Sequence, residues 1–270
     1  MKAFETDFRY LTYQDDAGNP RPEPAPQRIY GPLYSVGGLN VCAFLIETTQ
    51  GPVLIDALYE RDSAKITANI RALGFDPRDI TTILISHCHS DHAGGSAYLA
   101  ELSGALVMAH ELDADKIEAG TNCNERVYTP VPSVERLEDG QMIQLGDLAV
   151  TVRHCPGQSA GSAVYCAAIE GPQGPCRALF AGDATGFKNS VQTLERLGYP
   201  GVCADYRATV RKLQALEFDL YCGGHPHQVF NEMRADGNPF VSQEEWLKMT
   251  GNRYREMEDF VKEHPEYLSW

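Results

Sequence analysis

Three histidines and one aspartate stand within six residues, His87-Cys88-His89-Ser90-Asp91-His92, directly after the short apolar run Ile80 to Ile85. A run of that length reads as a strand, and side chains at a strand's end are aimed by a rigid element. In extended backbone residues i and i+2 point the same way, so His87 and His89 share one side. Asp91 and His92 turn elsewhere as the chain bends into the helical stretch Ala93 to Glu101. Imidazole nitrogen with carboxylate oxygen is a ligand set suited to zinc, with iron or manganese as alternatives. The bland alternative, a solvated loop that happens to be rich in histidine, does not account for the ligand spacing. The fold must therefore present a strand, a loop of ligands, then a helix.

The rest of the chain supplies a frame for that unit. With 270 residues, 43% hydrophobic and 22% charged, it can bury a sizeable core as one large domain or two small ones. Residues 1–27 are polar, with Pro20, Pro22, Pro24 and Pro26 at alternate positions, which predicts an extended arm; the core domain then covers 28–270. Cys42–Ile46 and Val53–Asp56, around the turn signal Thr49-Gln50-Gly51-Pro52, predict a β-hairpin. Asp62–Leu73 has helical spacing and ends at Gly74. Ala105–Ala109 reads as a strand, Leu112–Ala119 as a helix, and Met142–Leu145 with Leu148–Val152 as a hairpin. Strands at Ala163–Ile169, Ala178–Phe180 and Phe218–Cys222 and helices at Val202–Leu216 and Glu244–Lys262 complete the order. Strands in two batches, each closed by helices, predict an α/β fold of two sheets face to face with helices outside, the ligand loops gathered at one end.

The net charge is 23 − 37 = −14. No basic field exists to attract nucleic acid or an anionic membrane, and no apolar stretch reaches the length of a membrane span. Eight cysteines without a C-x-x-C pair predict free thiols. The N-terminus lacks the apolar core of an export signal, which predicts a cytoplasmic protein, or a periplasmic one if the sequence is a processed form.

The run His87 to His92 resembles the H-x-H-x-D-H signature of the metallo-β-lactamase superfamily. The likeness continues in order: Gly51-Pro52-Val53-Leu54-Ile55-Asp56 is similar to the strand that ends in Asp, Asp91-His92-Ala93-Gly94-Gly95 to the ligand-to-helix junction, Phe180-Ala181-Gly182-Asp183 to the later strand-end aspartate, and Gly224-His225-Pro226 to the last ligand. Asn238-Pro239-Phe240-Val241 before a long helix most resembles the β-lactamase subclass (B3) that binds its metals through His and Asp alone. The resemblance implies an αββα sandwich of two mixed sheets and a site for two zinc ions. His87 and His89 would hold the first ion, and Asp91, His92 and His225 the second. Where the family has histidine in a T-P-G-H-T-x-G stretch, this chain reads Cys155-Pro156-Gly157-Gln158-Ser159-Ala160-Gly161. Either Gln158 ligates weakly, or His154 substitutes, or the first site is poorly occupied; a loop flanked by glycines is set by its backbone, which favours Gln158 over a four-residue shift. Gly182-Asp183 resembles the lactonase and glyoxalase II branches, in which such an aspartate bridges the metals. Asp56 would support a ligand rather than be one.

The activity that the resemblance implies is that of a hydrolase in which a metal-held hydroxide, oriented by Asp91, opens a cyclic amide as β-lactamases do. The alternatives are a lactone or thioester hydrolase, and a non-catalytic metal-binding or ligand-sensing homologue. The partner would be a small molecule with a cyclic amide, lactone or thioester carbonyl, with neither nucleic acid nor membrane. Weaker candidates are His227, and Tyr206, Tyr221 and Tyr254 as oxyanion donors. Cys88, by alternation, should point away from the metals as a non-ligand; Cys222 reads as core, His110 and His264 as surface, and Glu125-Arg126 as a loop beside the cleft.

Overall fold

The computed structural model describes residues 25–122, 125–184, 201–225 and 240–268. Strand β1 (Gln27–Tyr30) begins where the alternate prolines end, and β2 (Leu33–Ser35), β3 (Phe44–Ile46) and β4 (Val53–Ile55) follow as an antiparallel meander. The sheet then turns parallel through β5 (Thr82–Ile85), β6 (Leu106–His110) and β9 (Glu135–Leu137). Helices α1 (Ser63–Ala72), α2 (Ser90–Ala93), α3 (Ser96–Ser103) and α4 (Glu111–Ala119) lie on the crossovers, because parallel strands cannot be joined by a tight turn. A two-stranded ribbon, β7 (Thr121–Asn122) with β8 (Glu125–Arg126), stands apart. The second sheet runs β10 (Met142–Leu145), β11 (Leu148–His154), β12 (Ala163–Ile169), β13 (Cys176–Gly182) and β14 (Leu220–Gly223), flanked by α5 (Val202–Gln214) and α6 (Gln243–Glu263).

Side-chain alternation decides the layering. Phe44, Ile46, Ile55 and Leu84 face inward and meet Val150, Val152, Tyr165 and Phe180 of the other sheet. Their neighbours Leu45, Leu54, Ile83 and Ile85 face the other way, onto Ile66 and Ile70 of α1, Leu99 of α3 and Ile117 of α4. Strands buried on both faces need continuous apolar runs, which Ile83-Leu84-Ile85 supplies in β5. On the far side Val202, Tyr206 and Val210 of α5 pack on Met257 and Val261 of α6. Trp246 reaches from α6 to Phe218, ring centroids 4.7 Å apart, and its indole donates to the Leu213 carbonyl at 2.8 Å. Ser242 and Glu245 form a capping box that starts α6. The result is the αββα sandwich that the order of elements predicts.

Several details differ from expectation. The helix expected at Ala93–Glu101 is two helices, α2 and α3, separated by Gly94-Gly95. Strands β1, β2 and β9 are too short to carry a visible alternation, and β13 runs two residues past the predicted stretch at each end. Glu125-Arg126, expected as a loop, is the second strand of the small ribbon. His110 is buried rather than on the surface, stacked on His154 with centroids 4.1 Å apart. The seven described cysteines are free thiols. The arm before residue 25, His227 and Asn238-Pro239 lie outside the described residues. No described helix is long and apolar enough to cross a membrane.

Candidate metal centre

Four strand ends converge on one edge of the sandwich: Asp56 after β4, Ser86 to His92 after β5, Asp183 after β13 and His225 after β14. The two sheets are pinned together just there. Ala163 N donates to the Ser86 carbonyl at 2.8 Å, Tyr165 Oη to the Ile85 carbonyl at 2.7 Å, and Cys42 N to the Gly224 carbonyl at 2.8 Å. Glycine is needed where loops crowd the site. A Cβ on Gly224 would lie 2.7 Å from Asp183 Oδ1, and Gly182, at φ +47°, would press one onto Ser86 at 2.6 Å.

Asp91, His92, Asp183 and His225 each offer a ligand atom, all within 4.8 Å of one another. His225 Nε2 is 3.3 Å from Asp91 Oδ2 and 3.3 Å from Asp183 Oδ1; His92 Nε2 is 3.6 Å from both carboxylates. His87 joins this group, its ring centroid 4.3 Å from that of His92 and 4.6 Å from that of His89.

The hydrogen bonds fix which ring nitrogen faces the centre. His92 Nδ1 donates to Asp56 Oδ2 at 2.7 Å, and His225 Nδ1 donates to the Asn40 carbonyl at 2.6 Å. Ser86 Oγ gives its only proton to Asp56 at 2.9 Å, so His87 Nδ1 must donate to that hydroxyl, 3.0 Å away. All three rings therefore aim Nε2 inward. The His87 Nε2 is buried with no hydrogen-bond partner, and the Nε2 atoms of His92 and His225 face each other at 3.4 Å. A buried, unpartnered His87 Nε2 and the Nε2 atoms of His92 and His225, converging beside two carboxylates, fit a divalent cation. Asp56 organises this from a left-handed backbone, φ 59°, with its other oxygen accepting from Ser86 N at 2.8 Å; such strain persists where the surroundings hold it.

Without a cation, protons take its place. Burial pushes against a charged His92, yet Asp91, Asp56 and Asp183 outweigh it and raise its pKa well above the usual value. Burial likewise opposes a charged His225, and hydrogen bonds to Asp183 and Asp91 carry it to about 9. His87 is driven well below its usual value by burial, then by the charges of His92 and His89. His225 binds metal only when its Nε2 is free. Cation affinity should therefore rise about tenfold per pH unit up to about 9 for each proton displaced. The metal-free fold behaves oppositely: its stabilisation by charged His225 is complete below about 6.5 and lost as pH climbs toward about 9. A zinc titration in weak buffer at pH 7 checks this; at least one proton released per ion is expected, and no release would overturn it.

Gln158 is buried on the turn between β11 and β12. Asp113 of α4, fully buried, ties that turn to the histidine loop: Oδ2 accepts from Cys88 N at 2.8 Å and from Ser159 Oγ, and Oδ1 accepts from Gly161 N at 3.0 Å. His154 is committed elsewhere, its Nε2 donating to the Ala160 carbonyl at 2.8 Å and its ring stacked on His110. Cys222 is a core residue, as its apolar strand predicts, and Cys88, expected by alternation to point away from the metals, is buried in the cluster beneath the helices. Tyr206 and Tyr221 are buried, and Tyr254, half-buried on α6, accepts from Arg211 of α5 at 3.2 Å.

Sequence reasoning missed Ser86, Asn40 and Asp113. Ser86 and Asn40 act through contacts to distant residues and leave no local pattern. Asp113 did leave one, since an acid beside Ala114 and Ile117 on the apolar face of α4 is a buried charge in want of partners.

Residues 36–225 match the family model of the metallo-beta-lactamase superfamily. A subclass B3 metallo-beta-lactamase of Bradyrhizobium japonicum has a similar structure, with a TM-score of 0.76 at 26% identity over 91% of this chain and 97% of that one. The Rm3 metallo-beta-lactamase gives 0.76 at 28%, over 90% and 95%. By sequence, the hydroxyacylglutathione hydrolase of Maricaulis maris is 32% identical over 149 residues, 53% of this chain and 47% of that protein. An acyl-coenzyme A thioesterase of Gallus gallus is 32% identical over 105 residues, 33% of this chain and 38% of that protein. The chain spans about half the length of the hydroxyacylglutathione hydrolases it matches, from 33% to 58%.

Proposed function

Because this chain belongs to the metallo-beta-lactamase superfamily, we propose that it is a metal-dependent hydrolase that cleaves an acyl thioester or lactone, with zinc as its cation. The observation that carries this reading is the position of Asp183, 3.3 Å from His225 and 3.6 Å from His92. A carboxylate there resembles the lactonase and glyoxalase II branches, and hydroxyacylglutathione hydrolases and an acyl-coenzyme A thioesterase are among the sequence relatives. The second reading, opening of a cyclic amide, is favoured by the likeness to subclass B3 β-lactamases over nine-tenths of the chain.

His87, His89 and Gln158 would hold one ion, and Asp91, His92 and His225 the other, with Asp183 as a further carboxylate ligand. Bound zinc supplies a Lewis acid for the acyl carbonyl and makes hydroxide accessible near neutral pH. The chain's own groups do the rest. Asp56 and the Asn40 carbonyl lock the tautomers of His92 and His225, so no ring has to reorient before reaction. Asp91, partly open to the cleft, would accept a hydrogen bond from the hydroxide and keep its oxygen directed at the carbonyl carbon. A thiolate leaves without needing a proton, since thiols ionise near pH 8.5, whereas an amine leaving group must first be protonated.

The test is elemental analysis of protein purified with zinc, joined to kinetics on S-lactoylglutathione, an acyl-homoserine lactone and nitrocefin. The expected result is two zinc ions and a kcat/KM for thioester or lactone at least about tenfold above that for nitrocefin, ~1.4 kcal/mol of transition-state preference. The reverse ratio would replace the first reading by the second.

A further inference from the structure

The segment after Asp56 lies against the ligand loop. Ala57 N donates to the His92 carbonyl at 2.7 Å, Gly95 N donates to the Leu58 carbonyl at 3.0 Å, and Leu58 holds a left-handed φ of 61°. A leucine gains nothing from that conformation, and its surroundings must impose it. The bend carries the chain out of the core along the ligand loop: a Cβ on Gly94 would lie 2.7 Å from Glu60 N, and Tyr59 and Arg61 flank that contact. Tyr59 is half-buried and lies within reach of the charges of Asp91 and His92. The Arg61 guanidinium stacks over its ring, 4.0 Å from the centroid.

Arg61 is exposed, and among the described residues it makes no ion pair. Its neighbours are engaged elsewhere. Glu60 accepts from Thr129 N at 3.1 Å and Thr129 Oγ1 at 2.6 Å, and Asp62 pairs with Lys65 at 3.6 Å. Stacking occupies the face of the guanidinium and one N–H is engaged with the Tyr59 hydroxyl; with five donors the group still keeps in-plane N–H edge, the edge that grips a carboxylate. The net charge of −14 does not forbid an anion here, since fields are screened beyond about 8 Å at physiological salt and the nearest charge decides.

We infer that Arg61, braced on Tyr59, is a specificity-determining residue that receives a carboxylate of the substrate at the rim of the metal centre. The inference rests on the hydrolase reading and narrows its substrate class to acyl compounds that carry a free carboxylate beside the scissile bond.

A matched pair of thioesters tests it: S-acetyl-3-mercaptopropanoic acid and its methyl ester, which differ only in that charge. With the zinc-loaded protein, R61A should lower the acid-to-ester ratio of kcat/KM about tenfold, through KM of the acid rather than kcat. R61K, which keeps the charge and loses the planar fork, should fall between. An unchanged ratio in R61A would overturn the inference. Calorimetry with the ketone analogues, in which a methylene separates carbonyl from sulfur, separates the two ideas. If neither thioester is cleaved but the acid analogue binds more tightly in an Arg61-dependent way, the hydrolase reading fails and the anion site stands. Equal binding of acid and ester analogues by wild type would overturn the anion site.

Discussion

Replacing His225 by alanine is expected to lower kcat/KM by about a thousandfold or more and to remove one zinc ion, while the far-ultraviolet circular dichroism stays that of the wild type. A thousandfold corresponds to ~4 kcal/mol, the scale of charge stabilisation that a well-held cation contributes. The fold should tolerate the change because His225 lies beyond the end of β14, outside the hydrophobic clusters. The one backbone group it leaves without a donor, the Asn40 carbonyl, belongs to a residue that is exposed and can turn to water. A cooperative thermal transition within a few degrees of wild type would show that the loss lies in the site. A fully active H225A protein would exclude His225 from the ligand set and leave the carboxylates of Asp91 and Asp183 facing His92 and His87.

The contrast between what the chain announces and what it conceals tracks the range of the interactions. His87 to His92 is legible because the ligands are adjacent in sequence and the strand before them is unmistakably apolar. The sandwich is legible because Leu54, Ile83 and Ile85 alternate with Ile55 and Leu84 between two buried faces. Asp183 and His225 are legible only through resemblance, since a Gly-Asp or Gly-His pair has no distinctive chemistry until β13 and β14 lie side by side. Asp113 and the Tyr59–Arg61 pair show the limit. Each matters through a partner 25 or more residues away or through an unusual φ, and neither is written in any window of the sequence. His110 misleads for a related reason: a histidine at a strand-to-helix junction looks exposed, but its ring is stacked on His154 and its nitrogen caps α4 at Leu112 N.

Exchange of Asp183 for asparagine, nearly the same shape without the charge, should separate the branches of the proposal. At 3.3 Å from His225 and an effective dielectric near 20, the pair interaction is about 5 kcal/mol before desolvation, so this one charge outweighs any packing effect of the swap. In the metal-free protein His225 keeps its proton up to about 9 against the cost of burial, through Asp183 and Asp91. With the Asp183 charge gone, its pKa should fall by a unit or more toward 6.5, which a histidine proton resonance followed through pH 5 to 10 would report. The window in which charged His225 stabilises the metal-free fold then narrows from its alkaline side. In the zinc-loaded protein an amide oxygen is a poorer donor to a cation, so thioester or lactone turnover should drop by about a hundredfold or more, with loss of the more weakly held ion. If D183N instead keeps both ions and full thioester turnover while the His225 pKa still falls in the metal-free protein, Asp183 acts only as a counter-charge to the histidines. The likeness to the lactonase branch would then carry no weight, and the cyclic-amide reading would become the stronger of the two.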